Sequence, residues 1–141
     1  MTKIKEIISP VTGRIWMDRN IGAKKKAKNR LDNPKTYGEK FTYEKAKRIA
    51  SKYKELGYRL PTKEELEAEG KDIQHNLKLP KAGIGSWLTS TDNYHCGSYG
   101  HYWSITEKDD KAKALHFSNS IAYVYKYDKM NNYSIRLIKD K

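Results

Sequence analysis

His95, Cys96 and His101 fall within seven consecutive residues and are the closest this chain comes to a reactive or metal-ligating cluster. An imidazole beside a thiol can lower its pKa and make it a nucleophile. Two imidazoles and a thiolate can supply part of a zinc site. The spacing serves neither chemistry well. Adjacent side chains on an extended backbone point to opposite faces, which separates Cys96 from His95. Four residues separate the first two donors from the third, and the three have no obvious carboxylate partner. Cys96 is the chain's one cysteine, which excludes an intramolecular disulfide and a multi-cysteine zinc site, and fits a reducing compartment. Gly83-Ile-Gly85 lacks the following Gly-Lys-Ser/Thr of a phosphate loop. Glu64, Glu65, Glu67 and Glu69 fan around a short helix, and capping accounts for Glu65. The expectation is a protein with no catalytic residues, no metal and no cofactor.

Binding chemistry is better represented. Tyr94, His95, Tyr99 and His101 sit among Gly, Ser, Asn and Cys, a mixture of rigid aromatic and adaptable polar side chains typical of recognition loops. Tyr123, Tyr125 and Tyr127 alternate along one strand, where they can stack on sugars or bases or simply cover the sheet. Tyr94, His95, Tyr99, His101 and Tyr125 are therefore the candidate ligand-binding residues. A second candidate is electrostatic. Of the net charge of +12, nearly all lies in residues 1–60, which hold 17 Lys+Arg against 6 Asp+Glu, whereas residues 61–141 hold 12 against 11. Lys24, Lys25, Lys26, Lys28 and Arg30 lie in an irregular stretch, while Lys45, Arg48 and Lys52 recur at spacings of 3 and 4 on one helical stripe. Such a field favours an anionic partner, whether nucleic acid, an acidic protein face or an anionic glycan. A lysine-rich solvated surface is the structural alternative.

These side chains need a scaffold. The 141 residues are 37% apolar, enough for one core. Residues 1–10 read as an N-terminal arm or strand and 11–141 as a single domain. Thr42 and Gly57 bracket a helix over 42–56, and Thr62 with Glu65 forms a capping box that opens a helix over 62–70. From Leu77 the chain turns glycine-rich and irregular. Period-2 patterns then predict antiparallel strands over 112–118, 121–127 and 133–138, with turns at Ser118–Ser120 and Asp128–Asn132. Trp16, Leu60, Leu66, Leu79, Trp103, Leu115 and Ile135 are the expected core. No apolar run is long enough for a membrane-spanning helix, and the first residues are too short in apolar content for a signal peptide.

In order along the chain stand Gly13-Arg-Ile-Trp-Met-Asp-Arg-Asn-Ile-Gly-Ala23, Gly57-Tyr-Arg-Leu-Pro-Thr62, Leu77-Lys-Leu-Pro-Lys-Ala-Gly83, Tyr102-Trp-Ser104 and Ser134-Ile-Arg136. This ordered set resembles the Fibrobacter succinogenes major paralogous domain family, which is allied to the formylglycine-generating-enzyme and C-type-lectin-like folds. Tyr58 stands where the family has Trp, and Ile105 where it has Ser. The resemblance implies an α+β, C-type-lectin-like single domain with two helices packed on twisted antiparallel sheets and long loops on one side. The enzymatic cousins use a pair of cysteines to hold copper; with Cys96 alone, that chemistry lacks a ligand. The expectation is thus a non-catalytic binding or structural module of a bacteriophage virion, a capsid decoration, collar or tail-associated protein made in the host cytoplasm. It would dock on another virion protein or an anionic surface. An intracellular protein that binds nucleic acid or a host protein through its basic face is the alternative.

Overall fold

The computed structural model describes residues 5–23, 38–80, 99–118 and 121–140. Two antiparallel strands, β1 (Glu6–Ile8) and β2 (Ile15–Met17), open the chain. Helix α1 (Tyr43–Ser51) leads through a 3₁₀ turn (Lys54–Leu56) to β3 (Tyr58–Arg59). Helices α2 (Lys63–Ala68) and α3 (Ile73–Asn76) follow. The chain then runs through β4 (Gly100–Lys108), β5 (Lys111–Phe117) and β6 (Ala122–Tyr127) and ends in β7 (Ile138–Lys139). One sheet has the order β1-β2-β7-β3 and the other is the meander β4-β5-β6, with every pair antiparallel. The content is α+β.

Local chemistry explains the helices. Tyr43, Ala46 and Ala50 are buried at helical spacing, which seats one stripe of α1 in the core and turns Lys45, Arg48 and Lys52 outward. The sequence predicts a single helix to 56, but α1 ends five residues earlier. The Lys52 and Tyr53 amides donate to the Ile49 and Ala50 carbonyls at 3.1 and 3.0 Å, i+3 bonds that tighten the coil. Gly57, at φ +91°, then reverses the chain into β3. In α2 the capping box is complete. The Glu65 amide donates to Thr62 Oγ1 at 3.1 Å, and the Thr62 amide donates to Glu65 Oε1 at 2.8 Å. α3, not expected from the sequence, is a single turn anchored by the fully buried Ile73 and by Leu77.

Two apolar clusters fill the interior, and the β4-β5-β6 sheet separates them. Tyr102, Leu115 and Phe117 face Trp16, Leu66, Ile73, Leu77 and Leu79 on one side. Trp103, Ala112 and Ala114 face Met17, Phe41, Tyr43, Tyr133, Ile135 and Leu137 on the other. All seven residues expected in the core are buried. Gly100 is required by contact: a Cβ there would lie 2.3 Å from the Phe117 ring.

The sequence also predicts a strand over 133–138. The structure makes this segment a crossing rather than a regular strand, because its backbone bonds to both sheets. The Met17 and Ile21 amides donate to the Leu137 and Ile135 carbonyls, the Trp103 amide donates to the Ser134 carbonyl, and the Ser134 amide donates to the His101 carbonyl. Only Ile138–Lys139 settle into the first sheet.

The side chain of Arg136 pins this crossing. Its guanidinium donates to the carbonyls of Met17 (3.2 Å), Leu77 (2.6 Å) and Lys78 (3.1 Å) and to Asn20 Oδ1 (3.1 Å). Asn20 Nδ2 donates in turn to the Tyr102 hydroxyl at 2.8 Å, which donates to the Pro80 carbonyl at 3.0 Å. Burial pushes Arg136 down to about 10, so it stays charged at neutral pH. Removing the donor takes a hydrogen-bond partner from three carbonyls and an amide oxygen away from water. Arg136→Met is expected to cost about 3 kcal/mol or more in urea unfolding. A loss below about 1 kcal/mol would show that the network is dispensable.

Candidate functional site

The register of the meander assembles an aromatic face. His116 on β5 lies opposite His101 on β4 and Tyr123 on β6, Ala114 opposite Trp103 and Tyr125, and Ala112 opposite Tyr127. With a side-chain period of 2, all of these point to the same side of the sheet. The two alanines of the central strand are fully buried beneath the larger rings of its neighbours. The face is graded from core to solvent. Trp103 and Tyr133 are buried, His101, His116 and Tyr127 are half-buried, and Tyr99, Tyr123 and Tyr125 are 38%, 47% and 56% exposed.

Ring contacts run through it without a break. Tyr43 meets Trp103 edge-on at 5.5 Å between centroids, and Trp103 meets Tyr133 at 4.6 Å. Tyr133 stacks on His101 at 4.7 Å, and His101 meets His116 at 4.6 Å. His116 stacks on Tyr123 at 5.0 Å and tilts against Tyr99 at 5.3 Å. Tyr127 stands edge-on to His101, Tyr125 and Tyr133. Such contacts contribute roughly 0.5–1.5 kcal/mol each beyond area burial, so the exposed tyrosines rest on a rigid base. The array presents apolar ring faces with polar tips.

At its centre, His116 Nδ1 lies 2.9 Å from His101 Nε2. This bond needs one nitrogen protonated and the other bare. Burial holds the His116 imidazole below its usual range, which keeps it neutral at pH 7. Burial and the neighbouring tyrosines push the Tyr127 phenol up, and burial does the same to Tyr133, so both keep their protons. Lys113 Nζ lies 6.0 Å from the centre of the Tyr125 ring, a cation over an exposed π-face.

Of the five predicted ligand residues, Tyr99, His101 and Tyr125 come together here, while Tyr94 and His95 lie outside the described residues. Sequence reasoning missed His116. Its signal was available, since placing Leu115 and Phe117 on one face of β5 puts His116 on the other. Tyr133 carried no such signal, because its place depends on the crossing segment.

The basic candidate divides. Lys24, Lys25, Lys26, Lys28 and Arg30 lie outside the described residues, as does Cys96. Lys45 and Arg48 on α1, with Lys52 just past its end, form an exposed stripe. Among the described residues no carboxylate pairs with these three, whereas Lys47 pairs with Glu44 at 3.2 Å. Lys45 Nζ lies 5.8 Å over the Phe41 ring. Among the described residues no three His, Cys, Asp or Glu side chains form a metal-ligating group, and no helix is long and apolar enough to cross a membrane.

Residues 69–138, which include the aromatic sheet and most of the crossing segment, match the model of a family described as a domain of unknown function (DUF8237). No curated protein and no solved structure matches the chain.

The lowered His116 has a stability consequence. Its folded pKa lies below the unfolded value of about 6.5. Its contribution is therefore complete above that pH and is lost as pH falls through the folded pKa, because the unfolded chain binds the proton first. Urea midpoints at pH 7, 6 and 5 are expected to show the native chain losing stability relative to His116→Phe as pH falls. Parallel pH profiles would contradict a neutral, buried His116.

Proposed function

We propose that this chain is a non-catalytic binding module of C-type-lectin-like fold, and that it serves as a bacteriophage virion component attached to another virion protein. The observation that carries the binding role is the aromatic face. Tyr99, Tyr123 and Tyr125 expose rings on a sheet whose opposite side is committed to the core, a use of large apolar surface that favours a partner over solvent. The virion assignment draws on the resemblance of the ordered motifs to a family with that fold, and on the lysine-rich single domain; this support is by analogy. The α+β arrangement, with α1 and α2 beside antiparallel sheets, is consistent with it.

The exposed stripe of Lys45, Arg48 and Lys52 favours a second reading, a binder of nucleic acid or of a host protein. Salt separates the two. Binding carried by phosphate contacts weakens with a slope of roughly −0.9 per contact on duplex DNA. Attachment through a ring-rich centre survives salt, which then acts on the association rate.

The test is co-sedimentation of the purified protein with phage particles, beside a salt titration against duplex DNA. Attachment to particles is expected to persist at high salt and to fall at least tenfold in the Tyr123→Ser/Tyr125→Ser double variant. Tight, salt-sensitive DNA binding that is abolished in Lys45→Glu/Arg48→Glu/Lys52→Glu, with no association with particles, would transfer the function to the second reading.

A further inference from the structure

A cleft of about 310 Å³ opens between the end of α1, the Gly57 turn and the bulged part of β4, with the aromatic face playing no part in it. That volume is at the lower end of the roughly 300–1,000 Å³ in which proteins hold small ligands. The floor is apolar: Ala50, Tyr58 and Leu60 are buried, and Ile105 is left 40% exposed. Ile105 is fixed there because β4 loses register between Trp103 and Glu107, which frees its amide to donate to the Pro61 carbonyl at 2.8 Å.

The polar lining has one sign in excess. Lys47, Lys54 and Arg59 face one carboxylate, Asp140. Arg59 already neutralises it, donating from Nε to Asp140 at 2.8 Å while its other nitrogens hold both oxygens of Glu65 at 2.7 Å. The carbonyl end of α1 does not oppose an anion strongly, since the Ile49 and Ala50 carbonyls accept from the Lys52 and Tyr53 amides. Lys47 and Lys54 are left on the rim, on a helix and a 3₁₀ turn that give them fixed anchors. Lys47 holds Glu44 at 3.2 Å by a solvent-screened pair and lies 4.8 Å over the Tyr43 ring, contacts that a bound anion would compete with.

We infer that this cleft binds a small organic anion, an apolar chain or ring seated on Ala50, Leu60 and Ile105 with a carboxylate or phosphate held by Lys47 and Lys54. The apolar floor supplies the attraction for the body, and the cationic rim selects against neutral and cationic molecules of the same shape.

Two probes of equal length and opposite charge test this: octanoate and octylammonium, titrated into the ¹⁵N-labelled full chain. Octanoate is expected to give saturable amide shifts at Ala50, Ser51, Gly57, Leu60 and Ile105, and to bind at least tenfold tighter than octylammonium. The surface variant Lys47→Glu/Lys54→Glu is expected to reverse that preference. Ile105→Trp, which fills the cleft from an exposed position, is expected to weaken both probes at least fivefold. Equal affinity for the two probes would overturn the cationic selection. Shifts confined to residues outside the cleft, or no saturable shifts, would overturn the site itself.

Discussion

A guanidinium in the interior must find acceptors for its hydrogens, and Arg136 finds them in parts of the chain far apart in sequence. Met17 follows from β2, Leu77 and Lys78 from the end of α3, and Asn20 from the turn after β2. Among the described residues no carboxylate holds it directly. Three backbone carbonyls and the Asn20 amide oxygen do, which fixes three main-chain positions and one side chain. Since the same residue lies on the segment hydrogen-bonded to both sheets, the charge sets how the two sheets meet. The buried carboxylate of Glu69 plays a matching part nearby, accepting from Ser9, from Thr12 Oγ1 at 2.7 Å and from Trp16 Nε1 at 3.1 Å. One buried cation and one buried anion thus order the turns on either side of β2.

With that frame fixed, the meander is free to specialise its two faces. One packs Tyr102, Leu115 and Phe117 into an apolar cluster. The other begins in the core at Trp103 and grades through paired imidazoles to open tyrosines. The rings at the surface are therefore coupled mechanically to the interior: Tyr133 touches both Trp103 and His101. A partner pressing on Tyr123 or Tyr125 meets a surface backed by packed rings, which lowers the ordering cost of binding.

The sequence made some of this legible. Thr62 and Glu65 announced α2 because a capping box is a local pattern, complete in four residues. That Tyr125 and Tyr127 share one face is readable from alternation alone, which needs no knowledge of the rest of the fold. β4 escaped notice, since it is covered on both sides and buries Tyr102, Trp103 and Ser104 in succession, which erases the period of two. The segment around Ile135 misled for a different reason. Its alternation is real, but its hydrogen bonds are divided between two sheets, a fact that belongs to the tertiary structure alone. His116 and Tyr133 became part of a site only when register and crossing brought them to His101.

The crossing segment also bears on how the molecule is made. Residues 132–139 join sheets whose other strands all precede them, so a ribosome has released β1 through β6 before the chain that unites them emerges. Until then Trp103 lacks its bond to Ser134, β2 lacks its neighbour β7, and the carbonyls at the end of α3 lack Arg136. Each core takes its last members from the same few residues, Tyr133, Ile135 and Leu137 on one side and Ile138 on the other. The joining of the two sheets is thereby the last step open to the emerging chain, and the apolar surfaces that this segment covers stay exposed until that moment.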